Sequence, residues 1–372
     1  MFRSRQCTDV FVVGGGPAGL ASAIAARQEG FRVIVADGAA PSIDKPCGEG
    51  MMPETLAALR ALGVEIEPGQ GHAFRGICFV QKDAQVFADF PEGHGIGLRR
   101  RMLHERLVAK AEECGVQLLW NTPISGIDSE GVQLPDGKVN ARWIVGTDGQ
   151  GSRVRRWSGL EATKRSKQRY ANRRHYRVKP WSNYVEIHWG THAQAYVTPI
   201  GTEEVCIVIT SELTEHASFE AALNELPQLN ERLAGAELSS RERGAVTSMH
   251  QLRNVQRRNV ALVGDASGGV DAITGDGLRL AFRQASALVD AMAVNDLMRY
   301  QKVHRQLARR PTSMGNLMLW LGRNPRIRER VIRAMDSKPD VFARLLATHV
   351  GRRGPGELLS VGALLGWRLL AI

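Results

Sequence analysis

The sequence predicts an α/β protein of more than one lobe, and three observations predict it. A short apolar run, residues 9–13, enters a glycine cluster; an alanine-rich stretch, 18–29, follows; a second apolar run, 31–36, ends in Asp37. That order reads as strand, glycine turn, helix and strand, a βαβ unit on a buried parallel sheet. Strand-like text then dominates 184–210, and everything beyond Arg305 reads helical. At 372 residues the chain is long enough for two lobes and a sizeable core.

Element by element, Gly30 is placed to end the first helix, a proline and Gly63 bound a second over 53–62, and Gly115 ends a third over 101–113. Residues 76–90 between them read as strand, as do 116–120, 123–127 and 143–147. Residues 185–189, 195–200 and 205–210 form the block assigned to a second, substrate-facing sheet. Residues 260–263 give another buried strand, and 277–294 a long helix behind a second glycine cluster. The helical tail is expected to break at Pro311, Pro325 and the glycines of 351–356. The predicted boundaries are 1–75, 99–170 and 245–305 for a discontinuous dinucleotide lobe, 76–98 and 171–244 for the substrate lobe, and 306–372 for a C-terminal extension.

Composition excludes several classes. Five cysteines, widely spaced and never in a CxxC pair, leave neither a disulfide framework nor a thiolate zinc site. The ten histidines form no HxH pair and a single HxxxH pair, His188 and His192, and no metal site is expected. The start of the chain does not read as a signal peptide, and no apolar run reaches the roughly 18 residues that cross a bilayer. A reducing cytoplasm is the expected location. The net charge of +11 is concentrated in residues 301–372, where 14 Lys and Arg face 4 Asp and Glu. Aromatic residues are too sparse there to stack bases, so nucleic acid is not expected as a partner. The apolar segment 357–372 is too short to span a membrane; it either packs on the dinucleotide lobe, the favoured reading, or joins the basic helices at a membrane surface.

The chemistry centres on Gly14-Gly15-Gly16-Pro17-Ala18-Gly19, a GxGxxG set between strand and helix. This is the pattern of a Rossmann-type dinucleotide site. Gly14 permits the turn, Gly16 admits a pyrophosphate close to the backbone, and Gly19 lets helix and strand touch. Pro17 and Ala18 open the helix whose N-terminus stabilises the phosphates, and Asp37 is placed to bind a ribose hydroxyl. By itself the fingerprint fits NAD or FAD.

Two further segments, Gly146-Thr147-Asp148-Gly149-Gln150-Gly151 and Val263-Gly264-Asp265-Ala266-Ser267-Gly268, resemble the DG and GD motifs of single-component flavoprotein monooxygenases. They occur in that family's order and extend the resemblance over essentially the whole chain. It implies FAD, with Asp148, Gly149, Gly264 and Asp265 at the cofactor and Asp265 on the ribityl hydroxyls. Gly275-Asp276-Gly277-Leu278 looks like the segment passing the isoalloxazine, and the amides of Gly277 and Leu278 open a helix suited to a reduced, anionic flavin. Lys45-Pro46-Cys47-Gly48-Glu49-Gly50 resembles the loop of geranylgeranyl reductases that lies against the flavin, with Cys47 and Gly48 bordering the pocket. Arg100, three residues before Leu103, resembles the family's arginine at a helix start and is expected on the FAD phosphates.

The pattern also departs. Where geranylgeranyl reductases carry aromatic-x-Trp-x-Phe-Pro, this chain has Gln194-Ala195-Tyr196-Val197-Thr198-Pro199, which keeps only the proline. The expectation is therefore an FAD-dependent oxidoreductase, first a monooxygenase acting on an apolar or aromatic small molecule; the alternatives are a reductase of carbon–carbon double bonds and a non-enzymatic flavin protein. No second dinucleotide fingerprint follows Gly19, so electrons are expected from NAD(P)H docking transiently or from a separate reductase. No catalytic residue is assigned.

Overall fold

The computed structural model describes residues 7–352 apart from 68, 161, 166–167, 217, 248–249 and 271; side chains of 162–165 and 250 are likewise undescribed. The predicted apolar segment 357–372 lies outside the described residues.

The βαβ unit forms as strand β1 (Cys7–Val13), helix α1 (Pro17–Gln28) and strand β2 (Val33–Ala36). Helix α2 (Pro53–Ala61) and helix α3 (Arg100–Glu113) follow near their expected places. β1 pairs in parallel with β2 on one side and with β3 (Gly137–Gly146) on the other. Two further parallel strands, Gln117–Leu119 beside β2 and Val260–Leu262 beside β3, bring distant chain into the same sheet. Alternation decides what covers each face. Val10, Val12, Val33 and Val35 pack with α1, α3 and the later helices, while Phe11, Val13, Ile34 and Ala36 pack on the opposite side. The expected strand over 123–127 shrinks to Gly126–Ile127, which pairs only with Gly131–Leu134 at the margin; Pro123 has no N–H to offer a ladder.

The second sheet runs, edge to edge, through Glu237–Leu238, β4 (Arg169–Arg177), Glu204–Ser211, Ala193–Gly201, Tyr184–Trp189, Gly76–Gln81 and Ala84–Asp89, with Arg243–Thr247 also paired to β4. All neighbours are antiparallel except Tyr184–Trp189 beside Gly76–Gln81. One face, with Val205, Ile207 and Ile209, is sealed by short helices carrying Phe219, Leu229 and Leu233. The other carries Phe79, Val185, Ile187 and Trp189. A three-stranded sheet of Gly50–Met51, His72–Phe74 and Gly95–Gly97 joins the lobes, so tightly that a Cβ on Gly97 would lie 1.8 Å from the Pro199 carbonyl oxygen.

Helix α4 (Gly277–Ala293) returns to the first lobe, and α5 (Leu297–Arg323) leaves it. The expected break at Pro311 is absent, because α5 runs through it. A mid-helix proline costs about 3 kcal/mol; here Tyr300, His304, Met318, Leu319 and Leu321 are buried along the same helix and offset it. The break at Pro325 does occur, followed by α6 (Pro325–Asp336) and α7 (Pro339–His349). Val331, Ile332, Met335, Phe342 and Leu346 of these helices cover the second sheet at Phe79, Val86 and Ala88.

Candidate cofactor and substrate site

The glycine turn is built by contact. Gly14 has φ +111°, and a Cβ there would lie 2.7 Å from the Thr147 carbonyl oxygen; one on Gly19 would lie 1.8 Å from the Gly14 carbonyl oxygen. Only glycine fits either position. A Cβ on Gly16 would meet nothing within 4 Å, and α1 begins there with Pro17 in its first turn and no side chain capping its N–H groups. Open space before an uncapped helix N-terminus is the geometry a phosphate needs.

The other motifs converge on this turn. The Thr147 hydroxyl donates to the carbonyl oxygens of Val13 and Gly14 at 2.9 and 2.8 Å. A Cβ on Gly264 would sit 2.8 Å from that of Ala18, and one on Gly149 would sit 3.4 Å from Lys45 Nζ. Arg155, 3% exposed, donates to the carbonyls of Gln150 and Ala266 at 2.7 and 3.1 Å and so joins the two loops. Buried His104 presents Nε2 to the Gly15 carbonyl at 2.8 Å. That carbonyl accepts only, so Nε2 carries the proton; burial holds the ring's pKa below its ordinary value.

The three acidic residues of these motifs are not equivalent. Asp37 accepts from the N–H groups of Gly15 and Ala39 at 2.7 and 2.8 Å, fixing the turn. Asp148 accepts from Ser152 Oγ and the N–H groups of Arg153 and Val154, capping a short helix. The Asp265 carboxylate is exposed and accepts no hydrogen bond among the described residues. All of its acceptor sites are open to a ligand hydroxyl, while Asp37 has one lone pair of each oxygen already used.

Gly275 approaches Met52, which follows the 45–50 loop, with a Cβ there 3.7 Å from Met52 Cε. Gly277 and Leu278 open α4, whose first N–H groups have no side-chain cap, and a Cβ on Gly277 would meet nothing within 4 Å. A Cβ on Gly48 likewise meets nothing. Arg100 reaches Cys47 Sγ at 3.9 Å, its Nε is buried without a hydrogen-bond partner, and among the described residues no carboxylate faces its guanidinium. An unpaired guanidinium one turn before His104 fits an anionic ligand group.

Sequence reasoning missed what holds the 45–50 loop. Glu49, 4% exposed and at φ +58°, accepts from the Arg100 N–H at 2.9 Å, lies 3.3 Å from Arg173 Nη1 and 2.8 Å from His175 Nε2. Arg173 also binds Asp44 at 2.7 and 2.8 Å. His175 Nδ1 faces Arg99 Nη1 at 2.8 Å. A guanidinium only donates, so Nδ1 accepts and the neutral ring gives its Nε2 proton to Glu49. Glu49, His175 and Cys206 place one potential ligand atom each within 4.8 Å of one another. Two arginines already occupy this cluster, which makes it an ion-pair network. Arg173 and His175 alternate on one face of β4, a period-2 signal of charge pointing inward.

An open glycine cradle, an unpaired arginine, a free carboxylate and a second uncapped helix end on one surface define a flavoprotein-type dinucleotide-binding oxidoreductase. The chain belongs to the FAD binding domain family, which matches residues 7–295. It is an FAD-dependent oxidoreductase. Among curated proteins it is similar to a menaquinone reductase of Mycobacterium tuberculosis, 26% identical over 317 residues that cover 78% of each chain. A digeranylgeranylglycerophospholipid reductase of Methanopyrus kandleri is 28% identical over 300 residues, 73% of this chain and 77% of that one. Among solved structures, a flavoprotein/dehydrogenase of Cytophaga hutchinsonii superposes with a TM-score of 0.79 at 18% identity, covering 92% and 93% of the two chains. A 2-methyl-3-hydroxypyridine-5-carboxylic acid oxygenase superposes with 0.74 at 21% identity, covering 86% and 93%. The superpositions establish the fold.

Proposed function

We propose that the protein reduces a carbon–carbon double bond of a lipophilic small molecule with electrons carried by its FAD. The observation that carries this reading is the position of the 45–50 loop. Glu49 pins it beside Arg100 and the cofactor cradle, and Met52 just after it enters a buried apolar cluster with Phe79, Ile187, Trp189, Ile273 and Met318. The loop thus stands between a dinucleotide site and a buried apolar cluster. The names of the menaquinone and phospholipid reductases, both similar over about three quarters of this chain, support reduction over oxygenation.

FAD, when bound, supplies a two-electron couple. Gly14, Gly16, Pro17, Ala18, Gly19 and Arg100 would hold its phosphates, Asp265 its sugar hydroxyls, and the N–H groups of Gly277 and Leu278 its redox ring. The apolar side chains orient the substrate and exclude water. Cys47, half-buried on the loop, would line the substrate side of the cofactor. Reduction consumes two electrons and two protons; the electrons come from NAD(P)H docking transiently or from a separate reductase.

Monooxygenation of an aromatic substrate is the second reading. Thr198 favours it: its Cγ2 would lie 3.5 Å from a Cβ on Gly50, in the segment where geranylgeranyl reductases are aromatic. Chemically reduced protein mixed without oxygen with an unsaturated prenylated quinone tests both. The proposal expects re-oxidised flavin and a product that is still two hydrogens heavier after its quinone ring has been re-oxidised. A product formed only with oxygen, and heavier by one oxygen atom, overturns it.

A further inference from the structure

The structure assigns a membrane-docking surface to the outer face of α5, and the partner we propose is an anionic lipid bilayer. This goes beyond the reaction and does not depend on it. The 27 residues of α5 contain six Lys and Arg and no Asp or Glu. At about 1.5 Å per residue the helix is roughly 40 Å long. Its inner side, with Leu297, Tyr300, His304, Gly315, Met318 and Leu321, is buried in the protein. At 100° per residue, Met298, Arg299, Lys302, Arg305, Arg309, Arg310, Leu317 and Trp320 fall on one outward stripe, and every one of them is exposed.

Two features of the stripe name the partner. First, Arg299, Lys302, Arg309 and Arg310 meet no carboxylate among the described residues, so the charge is left for something outside the chain. Second, apolar side chains sit at both ends of the same stripe: Met298 is 55% exposed at one, Leu317 39% and Trp320 48% at the other. Cations between apolar anchors along one helix face match a flat surface with negative headgroups over hydrocarbon; an indole is well suited to that boundary. Nucleic acid would need aromatic residues among the cations to stack bases, and the stripe has none between Met298 and Leu317. No helix among the described residues is long and apolar enough to cross a membrane, so contact here is peripheral.

The full-length flavoprotein is sedimented with vesicles of phosphatidylcholine alone or mixed with phosphatidylserine. Binding to the mixed vesicles is expected, weakening with salt and absent for phosphatidylcholine. Replacing Arg309 and Arg310 together by Gln should weaken it about thirtyfold, since each cation contributes about a factor of five at an anionic surface. Replacing Leu317 and Trp320 together by Ser should weaken it with little change in its salt dependence. All four side chains are outside the core, so melting temperature and flavin absorbance should be retained in both variants. No binding to mixed vesicles, or binding that neither double variant alters, overturns the assignment. So does tight binding to duplex DNA or an acidic protein that loses to neither vesicle type.

Discussion

Glu49 Oε2 and His175 Nε2 lie 2.8 Å apart in the interior, and this one hydrogen bond ties the loop beside the cofactor cradle to strand β4 of the second sheet. Because Arg99 fixes the histidine tautomer from the other side, the pair can form in one sense only: imidazole donates, carboxylate accepts.

Replacing Glu49 by Ala would leave the Arg100 N–H and the His175 Nε2–H without an acceptor in the core, while Arg173 keeps Asp44. A buried donor left unmade costs about 1–3 kcal/mol, and chemical denaturation should read a loss of at least that size. Glu49→Gln should also destabilise, because whichever way its amide turns, the NH2 meets a donor: the His175 Nε2–H on one side, or the Arg100 N–H and the Arg173 guanidinium on the other. A Gln variant as stable as the parent would show that the tautomer assignment is wrong.

Gly16 and Gly19 should respond differently to alanine. Gly16 has open space and a φ of −73°, so Gly16→Ala should keep the apoprotein's melting temperature and weaken FAD binding measured by fluorescence titration. Gly19→Ala would drive a methyl into the Gly14 carbonyl and should destabilise the apoprotein itself.

Asp265 and Asp148 separate binding from folding in the same way. Asp265→Ala should cost about 1.5–3 kcal/mol of FAD affinity, tenfold or more, while apoprotein stability is retained. Asp148→Ala removes a helix cap and should cost about 1 kcal/mol of apoprotein stability. Equal effects of the two on FAD and on folding would contradict the division of roles.

Acid should weaken the seat of the Asp265 loop through His304. This ring is 7% exposed, its Nε2 lies 2.9 Å from Ser267 Oγ, and burial pulls its pKa down to about 4 from 6.5. The folded pKa is the lower one, so the unfolded chain takes up the proton first. The contribution is therefore complete above pH 6.5 and is lost as pH falls toward 4, by about 3 kcal/mol in total. Urea midpoints across that range should fall, and His304→Gln should flatten the slope.

Much of the first lobe was legible in the sequence because its signals are local. The run from Asp9 to Asp37 carries strand period, glycine spacing and helix length within thirty residues, and the observed β1, α1 and β2 differ from the expected bounds by only a few positions. Asp265 and Arg100, which motif resemblance singles out, have no ion-pair partner among the described residues. Pro311 was misread because propensity sees one residue, whereas burial along both halves of α5 overrides it.

The sequence by itself determined the dinucleotide cradle, since a turn that admits only glycine at Gly14 and Gly19 leaves its mark in residue identity. Only the tertiary structure decided that Glu49, Arg173, His175 and Arg99 form one network, and that the cations and exposed apolar residues of α5 share one free face. Those four residues come from three separate segments, and no spacing in the chain encodes a contact whose energy exists only after both lobes have closed on it. Which face of a helix stays wet is likewise settled by what packs on the other side.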